Sequence, residues 1–189
     1  MSAPFQPEVM KLKTAKIAGL TCLASLAVAI PAQACTDVNV EPDVLGAKRA
    51  AEVATCLVNV ERTKRGLPKL KANKKLEKAA TKYARLMVSR QFFDHVSPGG
   101  STPVKRIKAT GYMSGALGWS VGENLAWGTG DLATPKNIVR SWMNSPGHRA
   151  NILRRGFREL GMGVAEGAPV DLYDDEFGGT YVTSFGARS

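Results

Sequence analysis

His95, Glu123 and His148 are the residues of this chain whose types and surroundings suit joint chemistry, with Ser97 and Ser145 close by in sequence. His95 lies in Phe93-Asp94-His95-Val96-Ser97-Pro98-Gly99-Gly100, Glu123 in Gly122-Glu123-Asn124-Leu125, and His148 in Asn144-Ser145-Pro146-Gly147-His148-Arg149. Each sits beside glycine or proline at a turn or strand edge, not on an apolar helical face. Such positions suit side chains that converge from loops held by a scaffold. Three chemistries would use them. Two imidazoles and a carboxylate can hold a divalent cation such as zinc with an open position. A histidine steered by Glu123 can act as a general base toward Ser97 or Ser145. The trio can also be a polar network that only fixes the loops. Spacing does not choose among them. The chain has no His-Glu-x-x-His, no Gly-x-Ser-x-Gly, no paired-cysteine metal site and no phosphate loop.

The elements that must position these residues are legible in the periodicity. Val53, Cys56, Leu57 and Val60 mark the apolar face of a first helix, roughly residues 45–65, stopped by Gly66-Leu67-Pro68. Asn73 caps a second helix whose buried stripe is Leu76, Ala80, Tyr83 and Met87, running out near Phe92-Phe93 into the His95 turn. Pro103 to Thr110 is a short third helix ended by Gly111, and Trp119 to Gly128 is an extended segment bounded by glycines. Gly130 to Thr134 reads as a loop, and a fourth helix starts at Thr134-Pro135 and reaches Trp142. Ser145 is placed to cap a further short helix with Pro146 at its start, so that the turn presents His148 at a fixed position. Beyond Leu153 the period changes to two. Leu160, Met162 and Val164 alternate with glycines and alanine, and Tyr181, Thr183 and Phe185 alternate with Val182 and Ser184, giving two strands joined by a long loop. Asp171, Asp174, Asp175 and Glu176 in that loop match no calcium spacing and read as a solvated tip. Helices first and a small antiparallel sheet after them make one α+β domain of about four helices.

Residues 1–34 read as a secretory signal peptide. Lys11, Lys13 and Lys16 precede an uncharged apolar run from Ile17 to Ile30, and Ala32-Gln33-Ala34 is a small-x-small cleavage site. The run is short of the roughly 20 residues of a transmembrane helix. A retained anchor is the rival reading, as is a lipidated Cys35. The mature domain then spans 35–189, without a stable transmembrane segment and as a monomer, in the extracellular space or the periplasm. Cys35 and Cys56 are left as one even pair, expected to form a disulfide in an oxidising compartment. The formal charge is +10 for the whole chain and about +8 once Lys11, Lys13, Lys16 and Glu8 leave with the signal. This surplus reads most plainly as a solvated surface of helix-forming lysines and also favours anionic surfaces such as wall polymers or lipid headgroups. Basic residues are not interleaved with aromatics, so nucleic acid is not an expected partner.

Five segments occur in one order: Asp94-His95-Val96-Ser97, Gly122-Glu123-Asn124-Leu125, Trp142 through Leu153, Leu160-Gly161-Met162-Gly163, and Tyr181 through Gly186. Together they resemble the bacterial branch of the CAP superfamily, which includes cysteine-rich secretory proteins, venom allergen antigens and plant pathogenesis-related proteins. The resemblance covers about residues 54–186 and implies an α-β-α sandwich with a three-stranded antiparallel sheet between helices. It implies a cleft tetrad of two histidines and two acids, matched by His95, Glu123 and His148. Ser145 stands where animal and plant members carry the second acid, a departure that weakens cation binding by His95, His148 and Glu123. Members have been linked to sterol or lipid binding, cell-wall or host interaction, and in scattered cases proteolysis. The expectation is a secreted protein that binds a lipid, a cell-envelope polymer or a protein at the His95–Glu123–His148 cleft. Trp119 and Trp127 flank Glu123 and are candidates for apolar contacts there. The rival is an extracellular hydrolase or peptidase, metal-assisted or serine-based, using the same cleft. A passive structural module is the third reading.

Overall fold

The architecture is three layers, helices on either side of a central sheet, in a computed structural model that describes residues 35–171 and 177–189. The expected signal peptide and residues 172–176 of the acidic loop lie outside the described residues. Helices α1 (Pro42–Leu45) and α2 (Ala47–Thr63) are followed by strand β1 (Lys71–Ala72) and helices α3 (Lys74–Ser89) and α4 (Pro103–Ala109). Strand β2 (Trp119–Thr129) leads through a 3-10 turn (Gly130–Ala133) into α5 (Pro135–Asn144) and α6 (Pro146–Leu153). Strands β3 (Glu159–Glu166) and β4 (Gly178–Arg188) complete the chain. The sheet order is β1-β3-β4-β2, with β4 antiparallel to both of its neighbours and β1 parallel to β3.

Alternation along the strands assigns the two faces. Leu160, Met162 and Val164 of β3 and Tyr181 and Phe185 of β4 pack with Ala50, Ala54 and Val58 of α2, Ile138, Val139 and Trp142 of α5, and Ile152 of α6. Ala165 of β3, Val182 of β4 and Leu125 of β2 meet Ala80, Tyr83, Ala84 and Met87 of α3 on the other face. Fully burying such a side chain contributes about 1.5–3 kcal/mol, so the two clusters are what hold the layers together. The glycines of β3 have a specific use. A Cβ at Gly161 would collide with the backbone of Leu76 and Glu77, and one at Gly163 with that of Ala80 and Thr81, so α3 lies with its backbone against the strand.

Three expectations need correction. The expected first helix is α2, and a four-residue helix not expected, α1, precedes it across Gly46 at φ 81°. The sheet has a fourth strand beside the expected three, since Lys71–Ala72 pairs with Glu159–Leu160 over a stretch too short to leave a periodic signal. The stretch after Thr129 is a 3-10 turn whose Ala133 is buried.

The expected disulfide is present. Cys35 and Cys56, 21 residues apart in sequence, are bonded with Cα atoms 5.9 Å apart, tying the start of the described chain to α2. Replacing both by serine is expected to lower unfolding stability by about 3 kcal/mol through loop-closure entropy, measurable in urea at pH 7.

Candidate functional site

β2 is an edge strand, and its side chains divide between the two helical layers. Glu123 has the same parity as Leu125, which packs on α3. Its side chain is 3% exposed and meets the guanidinium of Arg106 from α4. Arg106 Nη2 donates to Glu123 Oε1 at 2.9 Å and Oε2 at 2.8 Å. The His95 Nδ1 lies 2.9 Å from Glu123 Oε1. Both carboxylate oxygens are therefore engaged.

The His95 turn is fastened from two sides. Tyr83 of α3 donates its hydroxyl to the Asp94 carbonyl at 2.6 Å, and Arg106 Nη2 donates to the His95 carbonyl at 3.0 Å. Asp94 Oδ1 accepts the Val96 N–H at 2.8 Å, closing a local turn of the kind aspartate favours. Arg106 lies flat over the Tyr83 ring, 3.2 Å from its centre, while Nη1 donates to the Ser101 carbonyl. Burial pushes the Tyr83 hydroxyl up to about 12, so it donates at any physiological pH.

His148 reaches the same strand from the opposite layer. Asn124 is fully buried and donates Nδ2 to the His148 carbonyl at 3.0 Å. Asn151, one turn further along α6, donates to the Glu123 carbonyl at 3.2 Å and to Asn124 Oδ1 at 2.9 Å. Trp142 Nε1 donates to the Leu125 carbonyl at 2.9 Å. The outward carbonyls of an exposed edge strand are thus covered by α5 and α6 side chains, which removes a pairing surface. Gly122 fits this joint because a Cβ there would press on Phe157 and Asn151.

The two imidazoles differ in their affinity for a proton. Hydrogen bonding to Glu123 holds His95 above the ordinary value of 6.5. Burial holds His148 below it, and the charge of His95 pushes it further the same way. The signs are opposite for stability. The contribution of His95 is complete below the unfolded value and fades as pH rises through its folded value. His148 weakens the fold as pH falls from the unfolded value through its lower folded one. The His95 side chain is half exposed, which reduces its share by solvent screening.

The geometry does not favour a divalent cation at His95, His148 and Glu123, one of the three chemistries open to them. Among the described residues no three His, Cys, Asp or Glu side chains are grouped as a metal site requires. The Glu123 oxygens already face an arginine, whose charge opposes a second cation. A serine nucleophile fares no better. The Ser97 hydroxyl is buried and accepts the Ser101 N–H at 3.0 Å. Ser145 stands at the start of α6, but its side chain makes no capping hydrogen bond. The capping role expected for Ser145 is corrected accordingly. Among the described residues neither hydroxyl is hydrogen-bonded to an imidazole. Trp119 is half exposed at one end of β2, and Trp127 lines a separate cavity with Leu132, Ile138 and Asn144.

Arg106 is the residue that the sequence reading missed. In Pro103-Val104-Lys105-Arg106-Ile107-Lys108 it reads as one of three solvated cations. The only available signal is its place beside Ile107, the fully buried residue of that helix. Asn151 and the Tyr83 hydroxyl likewise carry no sequence signal of their contacts.

A family model described as the cysteine-rich secretory protein family, CAP, matches residues 56–182. The Bacillus subtilis protein YkwD is 37% identical over 114 residues, which is 60% of this chain and 42% of YkwD. An extracellular protein of Bacillus anthracis containing an SCP domain superimposes with a TM-score of 0.58 and 26% identity, over 74% of this chain and 40% of that one. An outer surface protein of Borrelia burgdorferi shares the fold at a TM-score of 0.57 and 23% identity, over 75% of this chain and 95% of that one. The chain thus spans about two fifths of the length of the first two relatives. With more than half of its residues inside the family match, and with the α-β-α sandwich of its structural relatives, the chain belongs to the CAP family of cysteine-rich secretory proteins.

Proposed function

We propose that the protein is a secreted binding protein. Its ligand, a lipid, a cell-envelope polymer or another protein, is held at a cleft formed by His95, Glu123 and His148. The single observation that carries this reading is the locked state of Glu123. A carboxylate bound by Arg106 through both oxygens and by His95 through one is a poor base and a poor nucleophile, and an effective anchor. It leaves the outer nitrogen of His95 for a ligand, as a donor when the ring is protonated. His148, kept neutral to lower pH, offers a donor or an acceptor according to its tautomer. Such a pair suits a ligand rich in hydroxyl or acidic oxygens. Similarity to an extracellular protein of Bacillus anthracis and an outer surface protein of Borrelia burgdorferi supports action outside the cytoplasm. No helix among the described residues is long and apolar enough to cross a membrane.

The test is binding of the purified protein to phospholipid vesicles, isolated cell-wall polymer and secreted peptides, compared with three variants. His95→Ala/His148→Ala is expected to weaken capture of the bound class roughly tenfold, as loss of two polar contacts to a ligand would. Ser97→Ala and Ser145→Ala are expected to bind as the wild type does. Capture unchanged in the double variant would overturn the reading. So would turnover of any of these probes that Ser97→Ala or Ser145→Ala abolishes, which would establish a hydrolase.

A further inference from the structure

A second site lies on the outer side of Arg106. A groove of about 290 Å³ runs between α3 and α4, with Lys78, Lys82 and Lys105 on its walls and Arg106 and Tyr83 at its base. No acidic side chain among the described residues lines it. Among the described residues Lys78 and Lys82 form no ion pair, and the Lys105 ammonium donates only to the Gly100 carbonyl at 3.2 Å. The Arg106 side chain is 10% exposed, and its Nε is a buried donor without a partner among the described residues. Its other nitrogens are turned to Glu123, Ser101 and His95. We propose that this groove binds the phosphate of a phosphate-bearing ligand, with Lys78, Lys82 and Lys105 as its charge-bearing donors.

The argument rests on uncompensated charge. Lys78 and Lys82 are four residues apart on α3, where like charges repel and destabilise a helix by about 0.2–0.5 kcal/mol. Lys105 adds a third ammonium from the facing helix. A local conflict of this kind with no compensating carboxylate marks a position kept for something other than stability. An anion entering between the helices removes the repulsion and gains charge-assisted hydrogen bonds. Phosphate fits better than a single carboxylate because three lysines line one groove and its several oxygens can answer more than one of them. The groove also has apolar wall in Ala79, Ala109 and the partly exposed Leu86, which suits a ligand that continues past its phosphate. The larger cavity between α2, α3 and β3, about 560 Å³, differs. Lys48 and Arg85 there are matched by Glu52 and Glu77, so it selects no sign of charge.

The experiment uses the purified protein, glycerol 3-phosphate in a calorimeter, and co-sedimentation with phosphatidylglycerol–phosphatidylcholine vesicles at fixed ionic strength. Lys78→Ala/Lys82→Ala is compared with Lys48→Ala/Lys136→Ala, which removes the same charge elsewhere. Lys105→Gln is a single-site check, and circular dichroism confirms the fold of each. The wild type is expected to bind at one site. The groove pair should lose roughly tenfold in affinity or more, Lys105→Gln a smaller factor, and the control pair less than about twofold. Glycerol phosphate binding without vesicle binding identifies a soluble or polymeric phosphate as the source. Vesicle binding that glycerol phosphate displaces identifies a lipid headgroup. Both support the site. No binding of either probe overturns it, as does an equal loss in the groove and control pairs, which would mean attraction by net charge alone. Since the cleft histidines are untouched in every variant, this result stands or falls apart from the cleft.

Discussion

Gly161→Ala is expected to cost at least about 3 kcal/mol or to abolish cooperative folding, the upper end of what overpacking does. The methyl would fall on the backbone of Leu76 and Glu77, and backbone of a helix cannot turn aside as a side chain can. Relief requires lifting α3 off β3. That would open the cluster of Ala80, Tyr83, Ala84 and Met87 against Leu125 and Val182 and would displace Tyr83, which holds the His95 turn. Gly163→Ala should behave alike, one helical turn along. Gly147→Ala is the control, because it lies within α6 with nothing within 4 Å of an added Cβ and no positive φ. It is expected to be neutral or to stabilise by about 0.4–1 kcal/mol. Urea unfolding followed by far-ultraviolet circular dichroism checks all three. A Gly161→Ala midpoint equal to that of the wild type would show that α3 does not lie against the strand.

Arg106→Ala is expected to cost about 3–5 kcal/mol, the range for removing one partner of a buried ion pair. Glu123 would keep His95 as its only strong partner, and that imidazole is charged for only part of the pH range. The carbonyls of His95 and Ser101 would lose their guanidinium donor, and Tyr83 the cation over its ring. Arg106→Lys should recover part of the loss. One ammonium cannot span two carboxylate oxygens and two carbonyls that a planar guanidinium reaches together. Equal stability of Arg106→Ala and wild type at pH 7 would mean that the pair is too well solvated to matter.

The sequence disclosed the layers better than the joints. Leu160-Gly161-Met162-Gly163 announces a strand with one apolar face and one bare face, and the structure lays α3 on the bare one. Thr134-Pro135 and Ser145-Pro146 announce α5 and α6 at their first residues. Long periodic segments carry such signals because many residues repeat one preference. Single contacts between distant segments do not. Arg106 and Glu123 are 17 residues apart and belong to different elements, so nothing in either segment names the other. Lys71–Ala72 becomes a strand only because Glu159–Leu160 lies beside it. Ser145 has the residue type and the extended backbone of a cap, yet its side chain makes no capping hydrogen bond. His95 is legible as a candidate partner of Glu123 from its residue type and its place in a turn, and the family resemblance adds the register. Spacing alone leaves a metal site, a catalytic base and a polar network open, the network foremost, and the guanidinium that bears on the choice belongs to another element.

The most direct test uses the fact that the chain has only two histidines. Their imidazole carbon-bound protons give two resolved titrations by nuclear magnetic resonance, assigned with His95→Ala and His148→Ala. The expected result is a midpoint for His95 above 6.5 and one for His148 below it. In His95→Ala the midpoint of His148 should rise, because a positive neighbour has been removed, and Glu123→Gln should bring His95 down. Two midpoints at the ordinary value, each indifferent to replacement of the other histidine, would contradict a site shared by the two imidazoles across β2.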